Sequence, residues 1–205
     1  MATNAERGRK FRERNPNAFR EWVAGNRERK RQGNAQSRRR SRERFYAWKS
    51  TLACSQCGES HPAAIDFHHR NPEGKSFEIA KYVESSWEKL MEEAGKCEVL
   101  CSNCHRIAHT RERVYYGKER RFQEYKATLS CVRCGEARTA TLQFHHRVPS
   151  EKLFSISPGY RQVTWEELMR EIAKCDVLCA NCHNKEHWRS RQREEHSTKV
   201  GPLYT

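Results

Sequence analysis

Residues 96–109 read KCEVLCSNCHRIAH, and residues 174–187 read KCDVLCANCHNKEH. Each stretch runs a Cys-x2-Cys pair straight into His-x3-His: Cys101, Cys104, His105 and His109, then Cys179, Cys182, His183 and His187. Upstream of each lies a second Cys-x2-Cys pair, Cys54/Cys57 or Cys131/Cys134, and a His-His pair after phenylalanine, His68-His69 or His145-His146. All ten cysteines and eight of the ten histidines fall in these two frames, so the metal-binding and proton-moving residues were duplicated together.

The duplication extends beyond the motifs. Phe45–Arg70 aligned with Phe122–Arg147 gives 13 identities in 26 positions without a gap. The offset is 77 through Ile79/Ile156 and 78 from Trp87/Trp165 onward, so one residue was inserted in the loop between. Four segments follow: a basic arm (1–44), a first unit (45–113), a second unit (114–190) and a polar tail (191–205).

A chain of 205 residues with 36% hydrophobic content and a mean hydropathy of −1.07 is poor material for one large apolar core. Small units this polar are usually stapled by disulfides or metals. The N-terminus is polar and arginine-rich, without the apolar stretch of a secretory signal, and no apolar run is long enough for a membrane span. The expectation is a soluble intracellular protein in a reducing compartment, where paired Cys-x2-Cys knuckles bind zinc.

The net charge is +14. Residues 1–50 hold 16 Lys/Arg against 5 Asp/Glu, so most of the excess lies in the arm, densest at Arg38, Arg39, Arg40, Arg42 and Arg44. A polyanion, most commonly a nucleic-acid backbone, is the partner such a segment attracts; the alternative reading is a solvated arm. Asn15-Pro16 followed by Phe19, Trp22 and Val23 at helical spacing predicts a helix with a narrow apolar stripe.

Each unit reads as the same series of elements, a small α+β pattern. A helix ends at Phe45–Trp48 or Phe122–Tyr125. A knuckle then turns at a glycine able to adopt positive φ. Ala64–Phe67 and Thr141–Phe144 predict short strands. Trp87, Leu90, Met91, Ala94 and Trp165, Leu168, Met169, Ile172 predict amphipathic helices, capped at Ser85-x2-Glu88 and Thr164-x2-Glu167. Their Trp and Met residues are read as core, and Cys97 and Cys175 as small buried residues.

Two Cys-x2-Cys pairs per unit make a four-thiolate site: Cys54, Cys57, Cys101, Cys104 and Cys131, Cys134, Cys179, Cys182. Such a closed shell suits structural zinc, two ions per chain, and offers no position for chemistry. The histidines differ. Residues four apart on a helix are neighbours, so His105/His109 and His183/His187 can each grip one ion. Successive strand residues point to opposite faces, so only one histidine of each His-His pair joins them easily. Three imidazoles, an open coordination position and a spare histidine are what phosphodiester hydrolysis needs.

With those residues in view, the chain resembles the HNH endonuclease superfamily in its zinc-stapled phage and bacterial form. The likeness lies in the Cys-x2-Cys-Gly-Glu knuckle, the Phe-His-His-Arg strand and the Lys-Cys-x-Val-Leu-Cys-x-Asn-Cys-His run, over residues 45–190 as two tandem copies. The resemblance implies two treble-clef, ββα-metal units and metal-dependent hydrolysis of DNA. It makes His69 and His146 the general bases. His68, His105, His109 and His145, His183, His187 would then hold a catalytic divalent ion, Mg2+ or another. Two such units would make a monomeric pseudo-dimer able to cut both strands; a cutting unit with a binding unit is the alternative. The asparagine that names the family has Lys96 and Lys174 in its place here, with phosphate-charge stabilisation as their expected role; Asn103 and Asn181 are the alternative substitutes. The competing function is a non-catalytic zinc-ribbon nucleic-acid-binding protein; a third is an adaptor for a protein partner, against which the arginine excess argues.

Overall fold

The computed structural model describes residues 3–84, 86–110 and 114–199. The chain begins with helix α1 (Asn4–Arg14), closed by a capping box in which the Thr3 hydroxyl accepts from the Glu6 amide and the Glu6 carboxylate accepts from the Thr3 amide. Helix α2 (Pro16–Lys49) starts at the predicted proline, although Asn15 makes no side-chain cap bond. It passes without a break from the basic segment into the first unit, where Phe45 is 4% exposed. Trp22, in the predicted stripe, is exposed; the Phe19 side chain lies outside the described residues.

Each unit is then a two-stranded antiparallel hairpin followed by a helix. Strand β1 (Ile65–His69) pairs with β2 (Cys97–Cys101) in a register that sets Ile65 against Cys101 and His69 against Cys97. Helix α3 (Trp87–Gly95) fills the connection, and α4 (Ser102–Ala108) leaves directly from β2. The second unit repeats this: α5 (Gly117–Ala127), β3 (Leu142–His146), a short α6 (Ile156–Gly159), α7 (Trp165–Ile172), β4 (Cys175–Cys179) and α8 (Ala180–Lys199). Leu142 faces Cys179 and His146 faces Cys175, the same register. The strands run through both histidines of each pair, further than Phe67 and Phe144, because ladder bonds continue to His69 and His146.

The predicted caps are half met. Thr164 and Glu167 form the capping box of α7. Helix α3 is capped one residue later than predicted, by Ser86, whose hydroxyl accepts from the Lys89 amide; Ser85 lies outside the described residues. Gly58 and Gly135, one residue after the second cysteine of each knuckle, take φ of 76° and 75°, a region other residues rarely enter.

Burial divides each unit into two small cores toward opposite ends of the hairpin. At one end Ile65, Leu100, Cys54, Cys101 and Cys104 pack with Leu52 and Val99. At the other, Phe45, Ile79, Leu90 and Cys97 pack with Trp48, Phe67, Trp87 and Met91. The second unit has the same pair of clusters. Cys97 and Cys175 are buried core residues, as read from the sequence. Among the described residues no helix is long and apolar enough to cross a membrane.

Candidate metal centres

The knuckle cysteines converge as their spacing requires. In each unit the four Sγ atoms lie within 4.8 Å of one another. Cys57 Sγ sits 3.6 Å from Cys101 Sγ, and Cys134 Sγ 3.7 Å from Cys179 Sγ. Four sulfurs about 2.3 Å from a tetrahedral zinc stand about 3.8 Å apart, so the spacing fits the ion; a disulfide needs about 2.05 Å. All ten cysteines are free thiols. The Cys104 N–H donates to Cys101 Sγ, placing the first turn of α4 against the thiolates. Burial works against ionisation of Cys54, but backbone N–H donors around it bring its thiol down to about 7, and Cys131 likewise. Burial and the crowding of the other thiols push Cys104 and Cys182 up. Four thiols packed this way, without a cation between them, resist sharing negative charge. The two clusters can each hold a structural zinc ion.

The histidines gather separately. His68 from β1 meets His105 and His109 from the start and end of α4, and His145 meets His183 and His187 in the same way; in each cluster one ring nitrogen per residue lies within 4.8 Å of the others. His105 Nε2 and His109 Nε2 are 3.1 Å apart, close to the ~3.3 Å edge expected between nitrogens about 2.0–2.1 Å from a tetrahedral ion. His68 Nδ1 is buried with no hydrogen-bond partner among the described residues, a cost that a metal bond removes. Behind His105, Asp66 Oδ2 lies 3.6 Å from Nδ1 and accepts a 2.7 Å bond from Ser102 Oγ. A carboxylate there orients the ring and strengthens its far nitrogen as a ligand. In the second unit burial, with His187, His145 and Arg106 nearby, lowers His183 to about 4, so its ring is neutral and ready to ligate at neutral pH.

His69 and His146 are elsewhere. Each lies on the other face of its strand, one-tenth exposed or less, with Nε2 2.8 Å from a carboxylate oxygen of Glu93 or Glu171. Burial alone would raise the Glu93 pKa, but the Lys96 ammonium, the Ser76 amide and His69 hold it down at about 2. Glu171 is held at about 2 by Lys174, the Leu153 amide and His146 against the same burial. The carboxylate is therefore ionised and Nε2–H donates to it, so that in the neutral form of His69 or His146 the lone pair is on Nδ1.

Lys96 and Lys174 complete these groups. Lys96 Nζ donates to Glu93 Oε2 at 2.7 Å, to Ser76 Oγ at 3.0 Å and to Gly74 O at 3.3 Å, using all three protons. Lys174 Nζ donates to Glu171 Oε2 at 2.7 Å and to Glu151 O at 3.0 Å. In this arrangement both lysines neutralise a buried glutamate. No motif marks Glu93 or Glu171; their signal in the sequence is a charged residue on the apolar face of each amphipathic helix.

Asn103 and Asn181 join the two units. The Asn103 amide donates to Asn181 Oδ1 at 3.0 Å, and the Asn181 amide to Asn103 Oδ1 at 3.1 Å. This reciprocal pair marks an approximate internal twofold between α4 and α8. Around it Asn184 Nδ2 donates to Ser102 Oγ at 2.8 Å, Lys185 pairs with Glu59 at 2.6 Å, and Trp188 packs edge-on against Tyr46. As a result His105 and His109 of one unit and His183 and His187 of the other line a single cleft of about 1020 Å3.

Among the arm arginines, Arg38 and Arg42 pair with Glu84, Arg39 pairs with Glu43, and Arg44 stacks 4.0 Å over Trp87. Arg121 stacks on Trp165 at the same distance in the second unit, so the Arg44 contact belongs to the repeated fold. Arg38, Arg39 and Arg42 remain about two-thirds exposed. No protein-family model, curated protein or solved structure matches the chain.

Proposed function

We propose that the chain is a metal-dependent DNA endonuclease of the HNH type, built from two zinc-stapled treble-clef, ββα-metal units. The observation that carries the reading is the paired arrangement, repeated in each unit, of three converging imidazoles and a fourth whose tautomer is fixed by an ionised glutamate. A zinc-ribbon binding protein needs the cysteine clusters but neither of these. The hairpin–helix order of each unit and the four-thiolate staple support the fold assignment.

His68, His105 and His109, and His145, His183 and His187, would hold the divalent ion. That ion, Mg2+ or another, supplies Lewis-acid stabilisation of the charge that develops on the phosphoryl and leaving oxygens. Glu93 and Glu171 hold their histidines with Nε2 protonated, so Nδ1 accepts a proton from water. The same carboxylates stabilise the imidazolium that results, as an acid does behind a catalytic histidine. His146 lines a cavity of about 220 Å3 that it shares with Arg106 and Lys126, which also line the main cleft. The exposed arginines of α2 supply salt-dependent attraction to the DNA backbone. Cysteines left unpaired by disulfides and available to zinc fit a reducing, intracellular setting.

The test is cleavage of supercoiled plasmid with Mg2+, Mn2+ or Ni2+. Metal-dependent nicking is expected, reduced by His69→Ala or His146→Ala and lowered about 100-fold or more in the double variant. Because both residues are buried, His109→Ala and His187→Ala provide substitutions that spare the core and should reduce nicking in parallel. Absence of nicking with every metal would leave the non-catalytic binding reading in its place.

A further inference from the structure

The internal twofold relates the two flanks of the shared cleft residue by residue, and the flanks differ in charge. On the first flank Lys49 faces Asp66, and α8 contributes Asn184, which reaches Ser102 and through it Asp66. The equivalent positions on the second flank are Lys126, Gln143 and, contributed by α4, Arg106. The first flank thus carries one positive and one negative charge. The second carries two positive charges and no carboxylate at the matching place. Arg106, Lys126 and Gln143 line both the main cleft, with His183 and His187, and the smaller cavity, with His146. Among the described residues neither the Arg106 guanidinium nor the Lys126 ammonium makes a hydrogen bond or an ion pair; Asp66, which lines the same cleft, attracts Arg106, and Arg106 in turn repels Lys126.

Two cations held together and partly out of water repel one another, and an anion between them removes that cost. The guanidinium presents a flat fork of N–H donors that matches two oxygens of a phosphate, and the ammonium adds a point charge. We propose that Arg106 and Lys126 form a seat for a backbone phosphodiester, made across the boundary between the units, beside the second histidine cluster only. Naming nucleic acid as the ligand rests on the endonuclease reading; the anion seat itself does not. The two histidine clusters are therefore unequal. The first, with Asp66 behind His105, is the stronger metal holder, because a carboxylate behind a ligating histidine changes metal affinity about 10–100-fold. The second is where the phosphate is held.

The zinc-loaded full chain, its histidine clusters left unloaded, is titrated with the dinucleotide TpT and separately with inorganic phosphate. The ring signals of His105, His109, His183 and His187 report each flank by NMR, apart from the arm. TpT is expected to shift His183 and His187 saturably and the other two little. Arg106→Gln should weaken this binding about tenfold, the effect of one charge-assisted hydrogen bond. Gln143→Asp, which gives Lys126 the partner that Lys49 already has, should do the same while leaving the melting temperature and zinc content unchanged. Equal affinity in both variants, equal response of both flanks, or a response to inorganic phosphate alone overturns the assignment. A protein that passes this test yet nicks no DNA keeps the seat and loses the endonuclease reading. A protein that nicks DNA but binds TpT equally in all variants loses only the seat.

Discussion

Glu93 and Glu171 are 2% and 1% exposed, and each collects a lysine, a histidine and at least one backbone N–H. A buried carboxylate is tolerated only when its lone pairs are filled, and here they are filled by Lys96, Ser76 and His69, or by Lys174, Leu153 and His146. Removing the charge while keeping the shape leaves Lys174 without its counter-ion. Glu171→Gln should therefore lower the unfolding free energy by about 2–4 kcal/mol, the lower part of the range for breaking a buried pair because Lys174 is one-third exposed. Urea unfolding at neutral pH with zinc present measures it, and a change under about 0.5 kcal/mol would show that the ion pair adds little. The same group gives Lys96 and Lys174 their place: each neutralises the glutamate three residues earlier, in both copies.

The repeated element is a hairpin of two five-residue strands followed by a helix, which cannot stand alone in water. Its two small cores lie toward opposite ends of the hairpin as separate clusters, so cross-links have to replace apolar burial. The cysteine clusters join the knuckle, β2 and α4, or the knuckle, β4 and α8, at one point each. Two tightly held zinc ions per chain are expected by elemental analysis, resistant to mild chelation while metal at the histidine clusters exchanges readily. Cys57→Ala should leave one tight zinc and a first unit that melts separately and earlier, seen as a second transition by calorimetry. Fewer than two tight zinc ions in the unaltered protein would remove the structural-zinc assignment.

At the scale of the molecule, the approximate twofold turns two similar units into one cleft. The Asn103–Asn181 pair satisfies buried amides at the start of α4 and α8, where a helix has no internal acceptor for them. Each side chain answers the other's backbone, so the two act as one interaction. Asn103→Ala and Asn181→Ala should each cost about 1–3 kcal/mol, and the double variant clearly less than their sum, in a double-mutant cycle of unfolding. Simple additivity would mean that the two bonds are independent and that the clasp is not cooperative. Loss of the clasp should also separate the histidine clusters that now face one cavity.

The local parts were legible in the sequence: two copies, eight clustered cysteines, grouped histidines, amphipathic helices and a strand delivering adjacent histidines to opposite faces. Those follow from spacing, because a tetrahedral thiolate site, a helical turn and a strand each impose a fixed periodicity on the chain. The rest depends on partners far apart in sequence. Glu93 reads as one more charge on a helix until His69, 24 residues away, lies against it. Asn103 is one residue inside a cysteine knuckle until Asn181, 78 residues on, answers it. Arg106 reads as a surface charge of the first unit until the twofold carries it to the flank of the second, beside Lys126. Periodicity fixes which face a side chain takes on its own element; which element then covers that face is set by packing between units, and no spacing along the chain encodes it.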